Sequence, residues 1–342
     1  MKLKLVLQTF SLLFLSLVFI QCDEKRAEIC DEKSYYAGIE ISATSIKKTL
    51  LVADKDGKMS NLTETKTKQL NFSDDNSIDE GERTLIINEL RREFEVIDRR
   101  CIDKKRIYIA FSSGLDNISG VSELQKEIVE KLGFPEENME EINYHVETVS
   151  AMMTTDHGLS EEDVLFIDIG GSNTKLGVFD KSNNLYLSEM IKYGTRSLEE
   201  KIRTDLGKQP SYKEIEAKGK ELLQVEIDNK LKSNAALNGK SAVLFVGGMP
   251  YNLVDNIYQN RTKRKLVTLT LNEKNNDLDN YGDAIKKDEI VIPEHLKYNK
   301  QELYTGHLIM KELYAASEIT VAYYIDQVSW MSGFVEYKVK KK

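Results

Sequence analysis

The chain has 342 residues, 41% of them hydrophobic and 30% charged, a balance that excludes wholesale disorder and fibrous repeats and allows about two domains. Lys plus Arg number 48 and Asp plus Glu 56, for a net charge of −8, which excludes a protein that coats nucleic acid through its overall charge. Three cysteines are too few for a dense disulfide scaffold.

The N-terminus reads as an address. Lys2 and Lys4 precede an apolar run from Leu5 to Ile20, and Asp23, Glu24, Lys25 and Arg26 follow abruptly. That order is the pattern of a secretory signal, and the run is short for a membrane-spanning helix. Cys22 at its end resembles the cysteine that a bacterial lipoprotein signal leaves as the lipidated first residue, although Gln21 is larger than the residue usual before it. The expectation is a signal peptide over 1–22, a charged tether over 23–34, and an exported protein anchored to a membrane by lipid. It would face the periplasm or the cell surface. Cys30 and Cys101 then either pair or stay as thiols.

Beyond the tether, Tyr36–Ala53 is β-rich and turns at Asp54-Lys55-Asp56-Gly57. Residues 59–80 are polar and predict a loop or ragged edge. Leu85, Ile86, Leu90, Phe94 and Ile97 predict a helix over Glu82–Arg99. Arg106–Phe111 reads as a buried strand and Val121–Leu132 as a helix capped by Ser119 or Ser122. Val164–Ile169 and Thr174–Phe179 predict strands joined by a Gly-rich turn. Ser211 and Glu214 form a capping-box pattern opening a helix over Ser211–Leu231. Ala242–Val246 predicts a strand running into Gly247-Gly248. Residues 257–300 carry no clear pattern, and Leu303–Gln327 predicts a helix. Helices alternating with short strands imply an α/β fold, with domains over 35–158 and 159–342.

Two turns carry chemistry. Glu40-Ile41-Ser42-Ala43-Thr44-Ser45-Ile46-Lys47 and Asp168-Ile169-Gly170-Gly171-Ser172-Asn173-Thr174-Lys175 share one layout. Each has an acidic strand end, one apolar residue, a turn of small or hydroxyl residues, and then a basic residue. Small residues let backbone N–H groups approach an anion, and hydroxyls add donors. An acidic residue at the strand end can hold a divalent cation. The histidines His145, His157, His295 and His307 lack zinc-ligand spacing, and neither a P-loop nor a G-x-S-x-G elbow occurs. Arg261, Lys263, Arg264 and Lys265, and the tail Lys338, Lys340, Lys341 and Lys342, read as solvated charge.

In this order the motifs resemble those of the exopolyphosphatase and guanosine pentaphosphate phosphatase (Ppx/GppA) family within the actin, sugar-kinase and Hsp70 superfamily. Its D-x-G-S-N-S turn falls on Glu40–Ser45, its T-S-A-L-R stretch on Phe111–Asp116, and its I-S-G-E-E-E-A segment on Ile142–Thr148. Its D-I-G-G-G-S-T-E turn falls on Asp168–Lys175 and its G-x-x-x-L on Gly194–Leu198, with Val246-Gly247-Gly248 after it. The resemblance implies two actin-like (ribonuclease H-like) domains facing a phosphate-binding cleft. It further implies hydrolysis of phosphoanhydride bonds in polyphosphate or a nucleotide polyphosphate with Mg²⁺.

Carried onto this chain, Glu147 is the candidate catalytic base and Glu40 and Asp168 the candidate metal ligands. Ser42, Thr44, Ser45, Gly170, Gly171, Ser172, Asn173 and Thr174 would bind phosphate, with Ser112 and Ser113 within reach from a third strand end. The departures are Glu40 for aspartate, Asp116 for arginine, Lys175 for glutamate, and His145 and Val146 for two of three glutamates. They raise the alternative of a catalytically degenerate phosphate- or nucleotide-binding lipoprotein. A sugar-kinase-like phosphotransferase and an actin-like assembly protein fit an exported chain less well. Without Lys2 and Lys4 the net charge is −10, which favours a small phosphorylated ligand over long polyphosphate. Nucleic acid is not expected as a partner, and oligomeric state is not legible.

Overall fold

Alternating burial places β1 (Ser34–Ile41) with Ala37, Ile39 and Ile41 on one face, and the chain returns antiparallel as β2 (Ser45–Ala53). The computed structural model describes residues 34–70, 76–154, 158–207, 209–232, 234–258, 266–272, 275–292, 298–325 and 330–341. The expected signal peptide, its lipidation site Cys22, the tether up to residue 33, Cys30, and the basic cluster within 261–265 lie outside the described residues. Cys101 is disulfide-bonded.

The first sheet runs β3-β2-β1-β4-β5, with β3 at Met59–Gln69, β4 at Ile107–Phe111 and β5 at Met139–Glu141. β1 is parallel to β4, and β4 to β5. Helices α1 (Glu80–Asp98) and α2 (Val121–Leu132) close one core through Ile86, Leu90, Ile97, Leu124 and Ile128. α1 opens with a capping box between Asp79 and Glu82. The cap of α2 is Gly120 rather than Ser119 or Ser122, and the Ser119 hydroxyl instead donates to the Asn76 carbonyl. The polar stretch expected as a loop or ragged edge contains the eleven-residue strand β3, paired to β2 with two register shifts.

After α3 (Tyr144–Thr154) the second sheet repeats the same plan. The strands β8-β7-β6-β9-β13 repeat β3-β2-β1-β4-β5, with β10 added at the far edge. They are β6 (Val164–Ile169), β7 (Thr174–Asp180), β8 (Leu185–Ile191), β9 (Ala242–Val246), β10 (Leu266–Leu269) and β13 (Ala322–Ile325). The two-residue strands β11 (Leu271–Asn272) and β12 (Asn275–Asn276) form a separate ribbon. Helices α4 (Thr195–Leu206), α5 (Tyr212–Ile227), α6 (Gly248–Tyr258), α7 (Asp277–Lys286) and α8 (Lys300–Ser317) surround the second core. The Ser211–Glu214 capping box is present, and α5 ends earlier than Leu231, passing into a π turn over Asp228–Lys232. The helix expected over Leu303–Gln327 stops at Ser317. Glu318 takes a left-handed conformation with φ 55°, and Ala322–Ile325 joins β9 in parallel.

The last helix, α9 (Trp330–Lys341), crosses back to pack on α3 and β1 of the first half. With α3 it fills a third core between the sheets, where Met331, Phe334 and Val335 meet Tyr108, Ala151, Phe166 and Leu244. Its tail charges are engaged locally: Lys338 pairs with Glu140 at 3.0 Å and Lys340 with Glu336 at 2.5 Å. No described helix is long and apolar enough to cross a membrane.

Candidate functional site

The β1–β2 and β6–β7 hairpins point their turns at each other. A Cβ on Gly171 would lie 3.4 Å from Thr44 Oγ1. The two turns line one cavity of about 660 Å³, together with the ends of β4 and β9.

The first turn closes on itself. Ser45 N donates to Ser42 Oγ at 3.0 Å, and Ser42 N donates to the Ser45 carbonyl at 2.9 Å. The second turn is held from behind by the start of α4. Thr195 N donates to the Gly170 carbonyl and Arg196 N to the Gly171 carbonyl, both at 2.9 Å, while Ser197 Oγ donates to the Ser172 carbonyl at 2.7 Å. This clamp needs Gly194, because a Cβ there would strike the Gly170 carbonyl oxygen and reach Gly171 C at 2.6 Å. The carbonyls of Gly170, Gly171 and Ser172 in the second turn are therefore consumed, as is that of Ser45 in the first. Among the described residues no hydrogen bond takes the N–H of Ala43, Thr44, Gly171 or Ser172. Unused N–H groups in a turn of small residues are an anion-binding arrangement. Gly247, at φ 106°, passes so close to the Ile169 carbonyl that a Cβ there would lie 2.7 Å from its oxygen, and the Gly247-Gly248 corner sits on the rim.

The two strand-end acids occupy equivalent places. Glu40 lies directly opposite Lys47 in the β1–β2 register, and Asp168 opposite Lys175 in β6–β7. Lys47 Nζ is 3.3 Å from Glu40 Oε2. Lys175 Nζ is 3.7 Å from Asp168 Oδ2 and 2.7 Å from Glu147 Oε2. Its side chain is only 9% exposed, while that of Asp168 remains 21% exposed. Burial works against the charge on Lys175, but Glu147, Asp168 and Glu40 outweigh it and hold the ammonium's pKa above its ordinary value.

Glu147 stands behind the cavity rather than in its wall. It is 1% exposed, on α3, and its carboxylate accepts from Ser113 N at 2.5 Å and Ser113 Oγ at 3.1 Å besides the lysine. Asn173 Nδ2 also donates to Ser113 Oγ, at 3.3 Å. Burial pushes the Glu147 carboxyl upward, and Lys175 opposes it. Ser113 is thus spent on Glu147, while Ser112 reaches the cavity. Thr174, a candidate phosphate donor, gives its hydroxyl to the Tyr193 carbonyl at 2.8 Å and is fully buried. Ser42, Thr44, Ser45, Gly170, Gly171, Ser172 and Asn173 do line the cavity, with Glu40 and Asp168.

The cavity also shows residues that motif reasoning left without a role. Arg196, inside the G-x-x-x-L segment, donates from Nε to Glu302 Oε1 at 2.8 Å and from Nη1 to the Leu70 carbonyl at 3.4 Å, bridging the two halves across the rim. Tyr251, Tyr298 and Trp330 add aromatic walls, and burial pushes the Tyr298 hydroxyl up to about 12. Position along the chain gives no signal for Tyr298, which lies within a stretch with no readable pattern. Among the described residues no group of three or more His, Cys, Asp or Glu is placed to hold a metal ion. Each cleft carboxylate proposed for that task has an ammonium on it instead.

No family model and no curated protein sequence matches the chain. Solved structures do match it. The Aquifex aeolicus member of the Ppx/GppA family superposes with a TM-score of 0.68 at 17% identity, over 90% of this chain and 98% of that one. An exopolyphosphatase from Cytophaga hutchinsonii gives 0.73 at 12% identity, over 90% and 98%. The chain has the two-domain, actin-like fold of these structures.

Proposed function

We propose that this Ppx/GppA-type fold serves to bind a small phosphorylated compound in the cleft between its two halves. The observation that carries the reading is the pair of facing turns whose backbone N–H groups, at Ala43, Thr44, Gly171 and Ser172, take part in no hydrogen bond among the described residues. Cavity cations are matched by carboxylates: Lys47 with Glu40, Lys175 with Asp168, and Arg196 with Glu302. A ligand is thus held by directed donors rather than by a positive field, which suits a compact phosphate better than a long polyanion. Titration calorimetry with inorganic phosphate, pyrophosphate, short polyphosphate and guanosine tetraphosphate tests this. Binding of at least one, weakened tenfold or more by Gly171→Val, supports it; no binding to any of the four refutes it.

The second reading is hydrolysis of phosphoanhydride bonds in polyphosphate or a nucleotide polyphosphate. It rests on the likeness of fold and on Asp168, which opens to the cavity at the equivalent strand end. Against it, a base must accept a proton from water, and Glu147 is enclosed by Ser113 and Lys175. Phosphate release abolished by Glu147→Gln in a folded protein would establish hydrolysis. Binding without release would favour the binding reading.

The N-terminal pattern supports a protein exported and anchored by lipid on Cys22, in the periplasm or on the cell surface. Mass spectrometry of the mature N-terminus checks this. Diacylglyceryl on Cys22 supports it, and an intact Met1 refutes it.

A further inference from the structure

In the cleft, the position between the strand-end acid Asp168 and the buried Glu147 carries an ammonium group. We propose that Lys175 is the cleft's resident cation, filling the place a divalent metal would take between Asp168 and Glu147, so that ligand binding here is independent of metal. The proposal rests on the reading that the cleft binds a phosphorylated compound, and it adds which cation lines the site beside that compound.

Three features carry it. First, Lys175 Nζ lies 2.7 Å from Glu147 Oε2 and 3.7 Å from Asp168 Oδ2, so one ammonium bridges the buried glutamate and the strand-end candidate metal ligand Asp168. A divalent cation binds through closely converging carboxylate or water oxygens and would meet this ammonium at contact range. Second, the lysine is not a passing side chain. It sits in the body of β7, directly opposite Asp168 in the register, and its side chain is 9% exposed. Swinging out would leave Glu147, 1% exposed, as an unpaired buried charge. Third, the device occurs twice. Glu40 and Lys47 hold the same register places in the other hairpin, with Nζ 3.3 Å from Oε2. In both halves the strand-end acid has a lysine seven positions later, on the facing strand.

An ammonium differs from a metal in what it lends a phosphate. It supplies one unit of charge and directed N–H donors, but it neither lowers the pKa of a bound water nor polarises a bridging oxygen as a Lewis acid does. It suits retention of the ligand better than activation of a nucleophile.

The experiment uses Mn²⁺ alone, followed by electron paramagnetic resonance on the full chain, with no phosphate compound present. The wild-type protein is expected to show no Mn²⁺ site that Asp168→Asn removes. Lys175→Gln, which frees Glu147 and Asp168, is expected to gain Mn²⁺ affinity by tenfold or more, and Lys175→Gln/Asp168→Asn to lose that gain. A wild-type Mn²⁺ site abolished by Asp168→Asn overturns the proposal. So does a folded Lys175→Gln protein that binds Mn²⁺ no better than wild type. Should Lys175→Gln not fold, inorganic phosphate binding by wild type decides. Equal affinity in EDTA and in Mg²⁺ supports the proposal, and a tenfold dependence on Mg²⁺ overturns it. Because the Mn²⁺ arm contains no phosphate, failure of the phosphate reading leaves its outcome separately readable.

Discussion

His307 shows how a single buried group sets a pH response remote from the cleft. It is 3% exposed, on α8, and its Nδ1 has no hydrogen-bond partner among the described residues. Burial lowers its pKa from 6.5 to about 3. The folded chain thus leaves this imidazole neutral where the unfolded chain protonates it, so stability is complete above the unfolded pKa and declines as pH falls from 6.5 toward 3. Urea unfolding of wild type near pH 7.5 and 5.5 should differ by about 1.4 kcal/mol from this residue, and His307→Leu should remove that increment. Gly194 is the equivalent single-residue control on the cleft. Gly194→Ala forces a methyl group into the second turn's carbonyls, at a cost of roughly 1–3 kcal/mol in urea unfolding. Because the clamp orients the N–H groups of Gly171 and Ser172, the same variant should lose phosphate affinity tenfold or more.

At the scale of elements, what was legible was what local chemistry dictates. The hairpins were readable because acid, small turn and base recur at fixed spacing within eight residues. The helices α1 and α2 were readable because their apolar residues recur at helical intervals. β3 was missed because its sequence, Met59-Ser-Asn-Leu-Thr-Glu-Thr-Lys-Thr-Lys-Gln69, has little apolar alternation. As an edge strand it needs few buried side chains, and its order comes from pairing with β2. β13 was merged into α8 because Ala322-Tyr-Tyr-Ile325 is a short apolar run, and periodicity alone does not separate buried strand from helix. The Glu147–Lys175 pair was out of reach for another reason. Its partners lie on α3 and β7, and only packing of one half on the other joins them. Motif order named both residues, yet it gave the glutamate as a catalytic base and the lysine only as a departure from the family's glutamate. The element that joins the halves is itself testable. Phe334 of α9 is 1% exposed in the shared core, so Phe334→Ala should cost roughly 3–5 kcal/mol in urea unfolding, far more than an exposed Tyr337→Ala.

Across the whole molecule, the two sheets share strand order and sense, and the cavity lies where their hairpins meet. A ligand gripped by both turns links the halves, as Arg196 already does through Glu302 and the Leu70 carbonyl. Ligand binding should therefore stabilise the chain as one unit. At a phosphate-compound concentration of 100 times Kd, unfolding should cost about 2.7 kcal/mol more, and the melting transition should move as a single step. Two separate transitions, only one of them ligand-sensitive, would contradict that coupling.

The return of α9 to the first half has a consequence for how the chain is made. Residues 330–341 complete a core whose other walls include Tyr108, Ala151 and Leu244, so the first half lacks one wall until those residues leave the ribosome. Nearly three hundred residues separate β1 from the helix that covers it, a span that slows the closing contact. A nascent chain halted before Trp330 should thus display an open apolar face, a natural handle for chaperones.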